Sequence, residues 1–320
     1  MNQYVKQMSD EEIPIFDNFT NDSAMMIAFE RHLESRHDGA FFTDPFAKSL
    51  AGSKGERLSE EFGTNYSVVF GFAGWPEFHK NWTAVRTKFI DDHISEFAAT
   101  RKYSHLLNLG AGMDTRPYRL ECYKNFKNGN FDFDMAVVNK NKQVVFEKFL
   151  SSPQAHCGTR DIDLDFLSED KTIATELDAF AVTLNTGYAD TGQTKQGPSQ
   201  SCAFDKSKPS VIISEGLIMY LGKIGKQKLI KDVSAVAAAG SALVLQFMDA
   251  SESEASKAHP GALDNALSRA EALELLTAGG WDTDTIQFYR FGEEKLNFGR
   301  FPLDKFKPTA SFSFCVCFKK

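Results

Sequence analysis

His105–Leu120 reads HLLNLGAGMDTRPYRL. It opens with an apolar run of strand length, His105–Leu109, and passes directly into Gly110-Ala111-Gly112. An acid, Asp114, and two bases, Arg116 and Arg119, follow at once. A buried strand that runs into a Gly-x-Gly turn opens a nucleotide-type site, because glycine lets backbone approach a ligand where a Cβ would collide. An isolated Gly-x-Gly is ordinarily a tight structural turn, so the motif alone assigns no ligand. Thr115 stands at the last position of G-x-G-x-x-G, which removes the third glycine of the dinucleotide fingerprint.

Outward from this segment the chain alternates in period. Strands are expected at His105–Leu109, Asn130–Asp134, Thr159–Ile162, Ser210–Ser214 and Ala242–Met248. Helices fall between them, clearest at Asn139–Leu150 and Lys223–Ala239. Such alternation builds a parallel sheet with helices on both faces. A helix near Asp264–Ala278 ends at Gly279-Gly280, and two further strands, Thr283–Phe291 and Ser311–Phe318, should pair as a closing hairpin. Upstream, Asp22–Ser35 and Thr83–Thr100 carry helical spacing of apolar residues, whereas Glu60–Phe78, rich in Gly and Phe, has no assignable pattern. Tyr188–Lys208, rich in Gly, Ser, Gln and Thr, reads as a surface insertion.

Composition narrows the class. At 320 residues with 42% hydrophobic content the chain suffices for one large α/β domain or two small ones. Phenylalanine is in excess, 29 residues against 8 Tyr and 3 Trp, which implies an aromatic core and offers rings to an apolar pocket. The net charge of −7 and the lack of a basic block leave no electrostatic footprint for nucleic acid. The longest uncharged stretch, Val233–Met248, is too short for a membrane span and is interrupted by Gly240-Ser241. The first residues, MNQYVKQMSDEE, contain no apolar signal core, so a cytoplasmic protein is expected. The seven His show no ligand spacing, and no metal site is expected.

Five segments resemble the leucine carboxyl methyltransferase family, which includes tetracenomycin-type polyketide carboxyl O-methyltransferases. They are FFTDPFAKSLAG (Phe41–Gly52), VRTKFIDDHI (Val85–Ile94), LLNLGAGMDTRPYRL (Leu106–Leu120), FDFDMAVVNKNK (Phe131–Lys142) and VIISEGLIMYL (Val211–Leu221). The resemblance implies a class I, Rossmann-like α/β fold with a mostly parallel seven-stranded sheet and an antiparallel last strand. It implies S-adenosyl-L-methionine as cofactor and a carboxylate as the usual methyl acceptor. Residues 1–100 would form a helical cap on the substrate side, and 101–320 the catalytic domain.

The cofactor's parts call for different partners. Gly110, Ala111 and Gly112 offer backbone to its methionine end, and by resemblance Arg86 binds the methionine carboxylate. Two vicinal ribose hydroxyls suit a carboxylate that accepts from both. Asp132 and Asp134 end the second strand on one face, with Asp134 the first choice for the ribose. The family usually has Glu where Asp132 stands. By resemblance Asp163 and Leu164 lie at the adenine. Glu215, an acid ending a run that should be buried, needs a partner. Tyr220 is a candidate for substrate contact. A carboxylate acceptor is ionised at neutral pH and needs no general base, which fits the absence of any triad. The acceptor is expected to be a small-molecule carboxylate. A protein C-terminal carboxylate, a nicotinamide-dependent oxidoreductase and a non-enzymatic small-molecule binding protein are the alternatives.

The cysteines are Cys122, Cys157, Cys202, Cys315 and Cys317, an odd count without C-x-x-C. Cys315 and Cys317 share one face of a strand, about 6.6–6.8 Å apart, with side chains pointing in parallel. Thiol titration of freshly purified, denatured, unreduced protein is expected to count five free thiols; a count of three or one would mean disulfides form.

Overall fold

The computed structural model describes residues 19–69, 74–149, 155–186, 204–249, 266–291, 293–300 and 311–320. Three helices come first: α1 (Phe19–Glu34), α2 (Ala47–Val69) and α3 (Trp75–Thr100). The alternating part follows as β1 (His105–Leu109), a short α4 (Arg116–Arg119), β2 (Asn130–Asp134), α5 (Ala136–Phe149), β3 (Thr159–Asp163), α6 (Ile173–Thr186), β4 (Ser210–Ser214), α7 (Gly222–Val236) and β5 (Ala242–Asp249). Then come α8 (Arg269–Ala278), β6 (Gln287–Arg290), α9 (Glu294–Asn297) and β7 (Ser311–Phe318). The sheet has seven strands in the order β3-β2-β1-β4-β5-β7-β6. β7 runs antiparallel to both β5 and β6, and the other pairings are parallel. This is the class I methyltransferase arrangement. None of the described helices is long and apolar enough to cross a membrane.

Period-two alternation sorts the sheet into two cores. Leu107, Leu109, Phe131, Phe133, Ile212 and Leu245 face one side, against α6, α7 and α8. Leu106, Val211, Ile213, Val244, Phe312 and Phe314 face the other, against α3. Much of the phenylalanine excess is spent on the second face. Trp82 of α3, fully buried, stacks on Phe312 with centroids 4.8 Å apart, and Phe89 stacks on Phe314 at 4.4 Å. Residues 75–100 therefore share one core with the sheet, while α1 and α2 pack on α5 and on Met113 of the glycine loop through Ala28, Leu50, Val138 and Phe146.

The strand expected at Thr283–Phe291 is confined to Gln287–Arg290, after a 3-10 turn at Thr283–Thr285; two helical stretches depart further from the sequence reading, both because of packing. α3 starts two turns before Thr83, with Pro in its first turn, where a missing N–H costs nothing. The unassigned stretch is largely the second half of α2, which bends at Gly52 (φ 55, ψ −169) and carries Gly55 and Gly63. These two glycines are contact points and not breaks. A Cβ on Gly55 would collide with the Met25 carbonyl oxygen, and one on Gly63 would lie 2.9 Å from Pro76 Cβ. Close helix crossings outweigh the propensity of about 1 kcal/mol against each glycine. Residues 188–203 of the polar insertion lie outside the described residues, and Cys202 with them; Cys122, Cys157, Cys315 and Cys317 are free thiols.

Buried charges join the helical region to the sheet. Arg116 donates from Nε to Asp91 Oδ1 of α3 (2.7 Å) and from Nη1 to Asp114 Oδ2 (2.9 Å). Arg119 forks onto both Asp91 oxygens at 2.6 and 2.8 Å. Arg31 of α1 reaches Asp44 Oδ2 (2.9 Å) and the Met113 carbonyl (2.5 Å), and Thr115 Oγ1 donates to the same Asp44 oxygen (2.6 Å). Burial would raise the Asp114 pKa, but the Arg116 charge and backbone N–H reverse this and hold it at about 2.

A depressed carboxylate stabilises the fold above its ordinary pKa and loses that contribution as pH falls toward the folded value. The stability gap between wild type and Asp114→Asn, from urea unfolding, should narrow by about 1 kcal/mol between pH 5 and pH 3. A gap independent of pH would show that Asp114 is not held by these charges.

Candidate active site

The carboxyl ends of β1 to β4 converge on one edge, where open α/β sheets bind ligands. The ladder fixes their alignment: Leu109 pairs Phe133 and Ser214, and Asp134 pairs Asp163. Gly110 and Gly112 leave β1 in the left-handed region, at φ 69 and 51. The Gly110 and Ala111 N–H groups both donate to the Phe133 carbonyl, at 2.8 and 3.0 Å. A Cβ at Gly110 would lie 3.0 Å from Leu217 Cβ, and one at Gly112 3.0 Å from Ala24 Cβ of α1. The loop is thus pressed between the segment after β4 and a roof made by α1. Thr115, fully buried and bonded to Asp44, uses the third-glycine position to fasten the segment between α1 and α2.

The two candidate ribose aspartates have different surroundings. Asp134 is half-buried at the strand end; its Oδ2 accepts from the Gly112 N–H (2.6 Å) and its Oδ1 from the Met135 N–H (2.7 Å). Burial raises its pKa, and the two N–H groups limit the rise. Each oxygen retains a second lone pair. Asp132 has no exposed surface. Its Oδ2 pairs with Lys142 Nζ (2.9 Å), which also pairs with Asp161 (2.7 Å), and its Oδ1 accepts from Asn130 (2.6 Å). Burial pushes its pKa up to about 6, against the pull of Lys142. Asp163 is exposed and accepts from Asn139 Nδ2 (2.9 Å), whereas Leu164, 1% exposed, is part of the core beneath.

At the β4 end Glu215 bridges two arginines. Its Oε1 lies 2.8 Å from Arg86 Nε and its Oε2 2.9 Å from Arg116 Nη1. Burial would raise the Glu215 pKa, but Arg116 and Arg86 bring it below the ordinary value. Arg86 Nη1 lies 3.8 Å from where a Cβ of Gly216 would be, so the guanidinium faces the backbone after β4. Tyr220 lies half-buried with its hydroxyl 3.5 Å from Ser23 Oγ of α1. The structure thus gathers Arg86, Gly110, Ala111, Gly112, Asp134, Asp163, Glu215 and Tyr220 around one edge, and sets Asp132 and Leu164 below it.

Three participants escaped the sequence reading. Asp91 and Arg31 act through Arg116 and the glycine loop, and no local spacing marks them. Gln246 had a legible signal: a polar residue inside the apolar run ALVLQFMD. Its Oε1 accepts from the Gly216 N–H (2.7 Å), and its buried Nε2 has no partner among the described residues. Ser214 Oγ is likewise buried and unpartnered among them. Positive-φ glycines, carboxylates with spare lone pairs and orphaned polar atoms at one strand edge suit a ligand that carries an amino acid, a ribose and a base.

Comparison with known proteins agrees. A Mycobacterium tuberculosis protein named among the S-adenosyl-L-methionine-dependent methyltransferases is 25% identical over 279 residues, covering 85% of this chain and 68% of its own. A similarly named Streptomyces avermitilis protein is 26% identical over 244 residues, with 74% and 72% covered. Among solved structures, a Thermobifida fusca protein named among the methyltransferases superposes with a TM-score of 0.52 at 14% identity, covering 93% of this chain and 94% of its own. Leucine carboxyl methyltransferase sequences match residues 24–234, well over half of the chain. The chain therefore belongs to the leucine carboxyl methyltransferase family, whose cofactor is S-adenosyl-L-methionine.

Proposed function

We propose that this chain transfers the methyl group of S-adenosyl-L-methionine to a carboxylate oxygen of a small molecule. The observation that carries this reading is Asp134: a strand-end carboxylate, tied to the Gly112 N–H, beside Asp163 and across from two left-handed glycines. Asp134 would accept from the ribose hydroxyls. Asp163 would accept from the adenine amino group; Leu164, buried in the core beneath the edge, is assigned no contact with the ring. Gly110 to Gly112 would lie against the methionine part. Arg86 would pair the methionine carboxylate, and Glu215, which already balances Arg86 and Arg116, would face the amine. Asp132 is assigned no ligand contact, because Lys142 and Asn130 occupy its oxygens.

The bound cofactor supplies a methyl group already activated on a sulfonium. The protein's share is alignment and shelter. An ionised carboxylate needs no proton removed before it attacks, so the site requires no base. The roof made by α1, with Ala24 against Gly112 and Ser23 near Tyr220, keeps water from the loop. The glycine at position 112 is fixed by both demands, a left-handed φ and room for α1 above it. Free thiols at Cys122, Cys157, Cys315 and Cys317 suit a reducing, cytoplasmic setting.

Calorimetry should show saturable binding of S-adenosylhomocysteine, and Asp134→Ala should weaken it at least about tenfold, since charge-assisted hydrogen bonds contribute about 1.5–3 kcal/mol each. Because the Asp134 pKa is raised, wild-type affinity should begin to fall at a higher pH than an ordinary aspartate would give, and Asp134→Ala should lack that fall. Tight NAD binding without a response to S-adenosylhomocysteine would overturn the reading.

Incubation of the protein with a cell extract and methyl-labelled cofactor separates the acceptors. Base-labile label in the low-mass pool is expected. Label retained on protein would assign a C-terminal carboxylate instead.

A further inference from the structure

The ladder between β4 and β5 ends at Ser214 and Leu245, and Gly216 lies beyond it. Gln246, the next residue of β5, replaces the missing rung with its side chain. Its Oε1 accepts from the Gly216 N–H at 2.7 Å, at the point where the backbone turns left-handed with φ 67.

Gln246 is a poor choice for the sheet itself. It has no exposed surface, pairs with Phe314 of β7, and lies between Val244 and Met248 on the face packed against α3. Its Nε2 is buried with no hydrogen-bond partner among the described residues. An unpaired buried amide donor lowers stability, whereas an apolar side chain of the same length would carry no such penalty. What the amide does secure is the orientation of one peptide group.

That peptide borders the charges assigned to the methionine end. It is trans, so its C=O and N–H point in opposite directions. With the Gly216 N–H held toward Gln246, the Glu215 carbonyl faces away from it, and no hydrogen bond engages that carbonyl among the described residues. The side chain of the same Glu215 lies 2.8 Å from Arg86 Nε and 2.9 Å from Arg116 Nη1. Arg86 Nη1 stands 3.8 Å, and Gln246 Oε1 4.0 Å, from the place a Gly216 Cβ would take. Rotation of this one peptide would shift a free carbonyl acceptor, the root of the Glu215 carboxylate and the backbone that the Arg86 guanidinium faces.

We propose that Gln246 is a positioning residue for the amino-acid part of S-adenosyl-L-methionine. By holding the Gly216 N–H it aims the Glu215 carbonyl at the ammonium and keeps Glu215 and Arg86 on either side of that group. The assignment rests on reading this edge as the cofactor site. Gln246 itself touches neither the methyl group nor the acceptor; it acts through the Glu215–Gly216 backbone.

Two probes separate positioning from general support of the fold. S-adenosylhomocysteine carries the amino acid, and methylthioadenosine keeps adenine and ribose without it. In calorimetry Gln246→Met should bind S-adenosylhomocysteine at least about tenfold more weakly than wild type, with methylthioadenosine affinity within about twofold. Methylthioadenosine binding also certifies that the variant is folded. Gln246→Asn, too short to reach the Gly216 N–H, should repeat this result with a side chain that remains polar. Gln246→Glu keeps an oxygen for that N–H and should bind S-adenosylhomocysteine within about threefold of wild type. Unchanged S-adenosylhomocysteine affinity in Gln246→Met and Gln246→Asn would overturn the assignment alone. Equal losses for the two probes would overturn it too, as would a loss in Gln246→Glu as large as in Gln246→Met. Wild type that binds neither probe would overturn the cofactor reading, and this assignment with it.

Discussion

The guanidinium of Arg116 is the point through which the parts of this protein hold together. One buried side chain bonds Asp91 on α3, Asp114 beyond the glycine loop and Glu215 at the end of β4. These come from a helix that covers one face of the sheet, from the β1 loop and from the neighbouring strand end. Removing one partner from such a set leaves the others buried without compensation, at a typical cost of 3–5 kcal/mol. The arrangement thus makes the position of α3 and the shape of the candidate site a single constraint. Arg119 doubles the hold on Asp91, so α3 is gripped by two adjacent guanidinium groups that issue from the same short turn.

A second polar set lies across the sheet. Asn108, Asp132 and Asp161 are register neighbours on three adjacent strands, and Lys142 of α5 reaches down to the two acids. The row occupies the face that carries apolar side chains elsewhere in the sheet. Its effect is to orient α5, and α5 in turn carries Asn139, which bonds Asp163. The candidate adenine and ribose carboxylates are thereby spaced by the strand ladder and steadied from one side by a single helix. Charge beneath the strand end positions charge at the strand end.

The strands, their direction and most of the edge that gathers the candidate residues were legible in the sequence, because each depends on short-range pattern. Apolar alternation marked β1 and β4, and Gly-Ala-Gly marked the turn between β1 and Asp114. What stayed hidden depends on partners distant in the chain. Gly55 and Gly63 look like helix breakers until Met25 and Pro76 are seen against them. Asp132 and Asp134 are two residues apart on one face; the sequence put Asp134 first for the ribose, and the partner that engages Asp132, Lys142 from the next helix, carries no local mark. The start of α3 was missed because its first two turns are filled with aromatic and polar residues whose periodicity serves two contacts at once, the sheet below and α1 beside it. Asp91 and Arg31 carry no local signature, since their meaning lies in guanidinium and carbonyl groups far along the chain.

The placement of β7 has a consequence for the order in which the molecule is built. Although it follows β6 in sequence, β7 is inserted between β5 and β6 and pairs with both. A ribosome delivers β6 before the strand that must lie beside it. Until Ser311–Phe318 emerge, β5 presents an unpaired edge, and Trp82 and Phe89 lack the Phe312 and Phe314 rings they stack on. Joining β5 to β7 also closes a loop of some sixty residues, the kind of distant pairing that slows folding. The nascent chain therefore carries an open, aromatic-rich flank from the emergence of β5 until that of β7, the last of the seven strands in chain order.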